Sequence, residues 1–284
     1  MKIAFLCCHL TGTGHLVRTL VLSRAARRMG HQAIVISGGR PLAHVEADVP
    51  LVQLPPVLVQ GFEFTRLREP GGAPVSTCYM ASRARTLHSA LEALRPDALV
   101  TELYPFGRRV LAAEFCEAIA AARAANPACA IIASVRDIPE PKPRRLAETA
   151  ARLRADYHGV LVHGDAGLLP LSTTWPLPDD LAPMIHHTGY VGPAAMPAPP
   201  RCEDVLVAVG GGVLGRRLLE VAVQAAERSG RHWRLLVGGA DAAAVSAGVA
   251  ARAPANVTAE PARPDYPALL AGAGCSVSLC GYNT

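Results

Sequence analysis

The chain has 284 residues, half of them hydrophobic and 18% charged, which excludes a disordered chain and at roughly 150 residues per domain predicts about two globular domains. The net charge of +5 comes almost wholly from scattered arginines, since Lys2 and Lys142 are the only lysines, and aromatic residues make up only 5%, so a stacking nucleic-acid face is not expected. No stretch approaches the ~18–20 uninterrupted apolar residues of a membrane span.

Residues 3–8 form an apolar run that reads as a buried strand and is too short for a signal peptide, so the protein is expected to be cytoplasmic. Residues 14–29 have helical spacing (Leu16, Leu20, Ser23, Arg27), and residues 33–36 return to strand. Residues 77–94 and 108–125 read as helices, and residues 98–101, 130–134 and 159–162 as strands. Strands separated by helices of this length predict a parallel sheet with crossover helices. Proline-rich residues after position 192 predict a linker over 193–202. The pattern then restarts, with strands at 204–209, 233–237, 257–259 and 275–279 and helices at 214–228, 242–252 and 266–271. The reading is an N-terminal domain over 1–192 and a partial second domain over 203–284. A doubly wound domain usually has about five or six strands, so the second is expected to be incomplete and the sequence a C-terminally truncated piece. The eight cysteines show no C-x-x-C spacing and are expected to be buried free thiols in a reducing compartment.

Each domain opens with a strand, a glycine turn and a helix. Gly12-Thr13-Gly14 precedes the first helix, and Gly210-Gly211-Gly212-Val213-Leu214-Gly215 the second. Such a turn lets the backbone approach an anion at a helix N-terminus, or it simply supplies φ > 0. The first turn lacks the third glycine of a dinucleotide fingerprint, and no acid follows its next strand. The second spells G-x-G-x-x-G, but its nearest acid, Asp241, comes late. No G-K-[ST] is present.

His15 lies at the first turn of the first helix, at the carboxyl end of the first strand, the edge where open parallel sheets bind ligands. The helix N-terminus and Arg18 disfavour imidazolium there and leave a neutral base; the alternative is a histidine that caps a turn. Other polar groups fall at the same edge. Glu102 could orient His15 or bind a hydroxyl. Arg136 and Asp137 read equally as a structural ion pair, and His163 with Asp165 as the start of a helix capped by Asp165. Four such loops carrying His, Glu, Arg and Asp point to a cleft.

The strand followed by Gly12-Thr13-Gly14-His15-Leu16-Val17-Arg18 resembles the N-terminal turn of GT-B-fold glycosyltransferases of the MurG type. A set of bacterial predicted glycosyltransferases related to that type is closer still. The resemblance rests on residues 101–109, on Ser134-Val135-Arg136-Asp137, Val162-His163-Gly164-Asp165 and Thr188-Gly189-Tyr190-Val191, and on Gly281-Tyr282-Asn283-Thr284. It implies two Rossmann-like doubly wound parallel-sheet domains, the second incomplete, that face each other across a cleft.

The resemblance also implies an inverting transfer of a hexosyl group, N-acetylhexosaminyl being one form, from a nucleotide-sugar, UDP-linked, to an acceptor hydroxyl. It makes His15 the base with Glu102 beside it. Gly12, Gly14, Arg18, Arg108 and Arg136 fall on the acceptor side. Gly210, Gly211, Gly212, Val213, Gly281, Tyr282, Asn283 and Thr284 fall on the donor side. No cofactor and no metal is expected, because backbone N–H groups would stabilise the leaving diphosphate. The family's further donor contacts would lie beyond Thr284, so the chain as written is expected to turn over poorly. The apolar loop over 54–73 (Leu58, Phe62, Phe64) reads either as core packing or as a peripheral contact with a lipid-linked acceptor at the inner membrane face. The rival functions are a nucleotide-sugar epimerase of the same fold and a non-catalytic nucleotide-binding protein.

Overall fold

The structure is a computed structural model that describes residues 1–10, 12–41, 48–61, 63–139, 143–192, 200–210, 213–239 and 241–279, with Val213 and Leu214 as backbone. The chain divides into two units, Met1–Gly192 and Pro193–Thr284.

The first unit runs β1 (Lys2–Cys7), α1 (Gly14–Arg28), β2 (Gln32–Ser37), β3 (Leu51–Gln53), α2 (Thr77–Leu94), β4 (Ala98–Glu102), α3 (Ala112–Ala125), β5 (Ala130–Arg136), α4 (Pro143–Asp156), β6 (Gly159–His163), α5 (Leu171–Thr174) and β7 (Ile185–His187). Its seven strands lie in the order β3-β2-β1-β4-β5-β6-β7, and all neighbours are parallel. Side chains alternate across β1. Phe5 and Cys7 pack with Leu16 and Leu20 of α1 on one face, while Ala4 and Leu6 join Leu87 and Leu91 of α2 and Phe115 and Ile119 of α3 on the other. Both faces are covered, which is why β4 is buried along its whole length, apolar over Ala98–Val100 and polar at its end, Thr101 and Glu102.

Arg83 of α2 is fully buried and makes a two-pronged pair with Glu114 of α3, Nε to Oε2 at 2.8 Å and Nη2 to Oε1 at 2.7 Å. Its Nη1 donates to the carbonyls of Gly38, at 3.0 Å, and Pro55. A Cβ on residue 38 would sit 2.7 Å from Nη2, so the end of β2 must be glycine to let the guanidinium through.

The second unit runs β8 (Val205–Val209), α6 (Val213–Ala226), β9 (Trp233–Val237), α7 (Ala242–Ala250), β10 (Val257–Pro261), α8 (Tyr266–Gly272) and β11 (Cys275–Ser278). Its parallel sheet has the order β10-β9-β8-β11 around a core of Val205, Val207, Val209, Leu219, Leu235, Val237 and Val249.

Three expectations need correction. The helix expected over 108–125 opens with a 3-10 turn, Arg109–Leu111, because Arg108 is left-handed at φ 58° and cannot start an α-helix. The elements β3, α4, α5 and β7 were not anticipated. α4 buries only Thr149, Ala150 and Leu153 among charged residues, and the short strands carry too little apolar pattern to announce themselves. The cysteines are not uniformly buried. Cys7, Cys8 and Cys129 are, whereas Cys78, Cys202 and Cys275 are exposed. Burial pushes the thiols of Cys7 and Cys8 up to about 12. In the loop over 54–73, Leu54, Val57 and Leu67 belong to the core, and among the described residues Phe64 is the loop's one exposed large hydrophobic side chain; Phe62 lies outside the described residues. Among the described residues no helix is long and apolar enough to cross a membrane.

Removing one partner of a buried ion pair leaves the other charge stranded, at a cost of about 3–5 kcal/mol. Glu114→Ala is therefore expected to lower the unfolding free energy of the first unit, read from urea denaturation, by that amount, whereas the exposed Arg152–Asp156 pair should contribute less than about 1 kcal/mol on the same assay.

Candidate functional site

The strand order of the first unit reverses at β1, since β2 and β3 lie on one side and β4 to β7 on the other. Ligands in open α/β sheets bind at the carboxyl edge of such a reversal. β1 delivers the chain to Gly12, whose φ of +65° favours glycine, and α1 begins at Gly14. Thr13 makes no side-chain cap, so the first N–H groups of α1 have no side-chain acceptor from it. His15 is the second residue of that helix, and Glu102 is the last residue of β4, the strand beside β1.

His15 Nδ1 lies 3.0 Å from Glu102 Oε1. One turn along α1, Arg18 reaches the same oxygen with its guanidinium. Glu102 and Ser134 are register partners on β4 and β5, which places their side chains on the same face of the sheet. Ser134 Oγ donates to Glu102 Oε2 at 2.6 Å. His163, the last residue of β6, places Nε2 2.9 Å from Ser134 Oγ and Nδ1 2.9 Å from Thr188 Oγ1. The edges of β1, β4, β5 and β6 and the segment after β7 thus share one hydrogen-bonded row. Glu102, Ser134, Arg18 and His163 are buried, while the side chain of His15 is one quarter exposed.

Burial works to raise the Glu102 carboxyl, but Arg18, His15 and Ser134 together outweigh it and hold it down at about 2. Burial lowers His15 below the usual imidazole range, opposed by Glu102 and reinforced by Arg108 and Arg18. His163 is pushed by burial down to about 4. Near neutral pH the carboxylate is ionised and both rings are neutral. An ionised carboxylate only accepts, so His15 carries its proton on Nδ1 and its Nε2 is the basic atom.

The other expected residues fall as follows. Gly12, Gly14, Arg108 and Arg136 lie at this edge, and the two arginines are half-buried. Arg108 Nε donates to the Cys8 carbonyl at 2.6 Å. Arg18 does not face an acceptor: it is buried beneath His15 and committed to Glu102. Among the described residues no ion pair joins Arg136 to Asp137. Asp165 caps no helix; its Oδ1 accepts from Gly167 N at 2.8 Å in a tight turn.

In the second unit Gly210 follows β8, and a Cβ on residue 215 would meet the Gly210 carbonyl at 2.5 Å, so the turn and α6 close on each other through glycine. Arg216 and Asp241 pair at 2.5 Å beside this turn. Val213 opens α6. Gly211, Gly212, Gly281, Tyr282, Asn283 and Thr284 lie outside the described residues. Among the described residues no group of three or more His, Cys, Asp or Glu could hold a metal ion.

No family model matches the chain, and no curated protein matches it. Solved structures do. The glycosyltransferase SnogD from Streptomyces nogalater is 19% identical with a TM-score of 0.59, over 99% of this chain and 77% of that one. UGT2 of Phytolacca americana, solved with UDP-2-fluoro-glucose and pterostilbene, is 16% identical with a TM-score of 0.58, over 100% and 77%. MurG of Acinetobacter baumannii is 15% identical with a TM-score of 0.53, over 98% and 71%. The chain has the MurG-like GT-B fold, with two parallel-sheet α/β units of which the second is the smaller.

The site also sets a pH dependence of stability. The folded pKa of His163, about 4, lies below its ordinary 6.5, so the unfolded chain binds more protons between those values. Its contribution is complete above about pH 6.5 and is lost as pH falls toward 4. That of Glu102 is lost lower, between its ordinary 4.5 and about 2. The urea midpoint of the first unit is expected to fall between pH 7 and 4.5, and His163→Gln should flatten that fall; an unchanged slope in the variant would contradict the assignment.

Proposed function

We propose that the protein is an inverting glycosyltransferase that moves a hexosyl group from a UDP-linked sugar to an acceptor hydroxyl. The observation that carries this reading is the His15–Glu102 pair at the reversal edge of the first unit, in a chain of GT-B fold. His15 Nε2 takes the hydroxyl proton as the acceptor oxygen attacks the anomeric carbon. The bond from that carbon to the diphosphate breaks, and the electron pair leaves with the nucleotide. Glu102 stabilises the imidazolium that forms, as a buried carboxylate does for a histidine base. Arg18 keeps that carboxylate ionised.

Arg108 and Arg136 are offered as the contacts for an anionic part of the acceptor, and Phe64 as the contact for a lipid-linked one at a membrane surface. The turn at Gly210, Gly211, Gly212 and Val213, with Gly281, Tyr282, Asn283 and Thr284, is offered as the donor side. Its N–H groups would stabilise the departing diphosphate without a metal. The solved complexes of similar fold with UDP, with UDP-2-fluoro-glucose and with thymidine diphosphate support a nucleotide-sugar donor.

Replacing a general base removes on the order of 10²–10⁴ in rate. His15→Ala is expected to lose at least about a hundredfold in UDP release from a UDP-sugar in the presence of acceptor, with UDP affinity unchanged by calorimetry. NMR of the product should show the opposite anomeric configuration. Unchanged turnover in the variant would refute the base, and an epimerised sugar formed from donor alone would establish the epimerase instead.

A further inference from the structure

Glu102 offers two oxygens to its neighbours. His15 and Arg18 both use Oε1, while Ser134 holds Oε2. A hydroxyl has a single proton, and the ionised carboxylate can only accept it, so the Ser134 proton points at Oε2. The Ser134 oxygen then has only lone pairs to offer His163 Nε2 at 2.9 Å, and Nε2 must carry the ring proton. In a neutral ring Nδ1 is then the unprotonated nitrogen, 2.9 Å from a Thr188 hydroxyl that also reaches the Gly189 carbonyl at 3.0 Å. From His163 inward the protons point toward Glu102: His163 donates to Ser134, and Ser134 to the carboxylate, which His15 approaches from the other side. The two histidines therefore hold opposite tautomers, Nε2–H in His163 and Nδ1–H in His15.

The torsion that turns a carboxylate about its last bond has broad minima, so nothing in Glu102 itself fixes the plane of its oxygens. The row supplies that restraint. We infer that Ser134 and His163 are positioning residues for the proposed transfer: by tethering Oε2 they hold Oε1 beneath His15 Nδ1, and so keep His15 in the tautomer whose Nε2 takes the acceptor proton. The inference rests on the reading of His15 as the base. Neither residue touches the acceptor; both act through Glu102.

Long-range proton–nitrogen NMR of the ¹⁵N-labelled protein reads both tautomers without any substrate. The wild-type protein should show His163 protonated on Nε2 and His15 on Nδ1; the reverse tautomer in His163 overturns the inference. In Ser134→Ala the His15 signals should move toward a mixture of tautomers. Loss of one hydrogen bond to a charged group corresponds to about tenfold, so kcat should fall about tenfold with KM within about twofold. Ser134→Thr, which keeps the hydroxyl, should restore both. His15 signals unchanged in Ser134→Ala would refute the inference.

If the Ser134 variants do not fold, His163→Gln and His163→Leu make the same comparison. The glutamine amide still donates to Ser134 and should preserve the His15 tautomer, while leucine should not. Tautomers that depend on Ser134, in a protein whose sugar transfer ignores His15→Ala, would sink the proposed function and leave the positioning of His15 intact. Transfer that depends on His15, with a tautomer indifferent to Ser134, would do the opposite.

Discussion

The first unit is organised around one buried negative charge. An isolated carboxylate in a dry interior costs several kcal/mol and would take up a proton instead. Glu102 stays ionised because a guanidinium and an imidazole from α1 and a hydroxyl from β5 converge on it. That requirement fixes local geometry well beyond the residue itself. α1 must begin at the carboxyl edge of β1 for His15 and Arg18 to reach the carboxylate from one helical face, three residues apart. Gly12 supplies the left-handed backbone that lets β1 turn so sharply into it. β5 must pair with β4 in the register that sets Ser134 opposite Glu102.

The same unit holds a second buried carboxylate, and the contrast separates support from chemistry. Glu114 is engaged at both oxygens by Arg83, whose remaining donor goes to backbone carbonyls between β2 and the following loop. Neither member of that pair presents a titratable group to solvent; it is a clamp between α2, α3 and the end of β2. Glu102 is equally buried, but the row it anchors ends in a ring that is one quarter exposed. A buried charge that terminates in an accessible base can do acid–base work, whereas a closed pair can only hold elements together.

How much of this the amino-acid order discloses follows from how local each signal is. Runs such as 3–8, 98–100 and 159–162 are apolar throughout because their strands are covered on both faces, so the two-unit parallel architecture was legible from pattern alone. His15 and Glu102 were legible because each sits at a strand end of the ligand-binding edge. Arg18 was legible as a cation near the helix start, but its partner is 84 residues away, and only the pairing of β1 with β4 turns it inward. Ser134 and His163 were legible at strand ends of the same edge, but not as partners of Glu102 or of each other. Their roles depend on strand order, which brings residues 29 apart within 2.9 Å. α4 is dominated by charged residues around a buried stripe of Thr149, Ala150 and Leu153, so its segment reads as a polar connection although it is amphipathic.

The second unit shows the opposite relation between motif and chemistry. Gly210-x-Gly212-x-x-Gly215 has the spacing of a dinucleotide turn, and a Cβ on residue 215 would strike the Gly210 carbonyl, so this last glycine serves the close packing of turn and helix. A dinucleotide site would also need an acid at the end of the neighbouring strand to hold a ribose. β9 ends at Val237, and the nearest acid in the chain after it, Asp241, pairs with Arg216 on α6. A carboxylate already committed to a guanidinium is a poor partner for a ribose hydroxyl. The end of β9 therefore offers, among the described residues, no uncommitted carboxylate of the kind that holds the ribose of a nicotinamide dinucleotide.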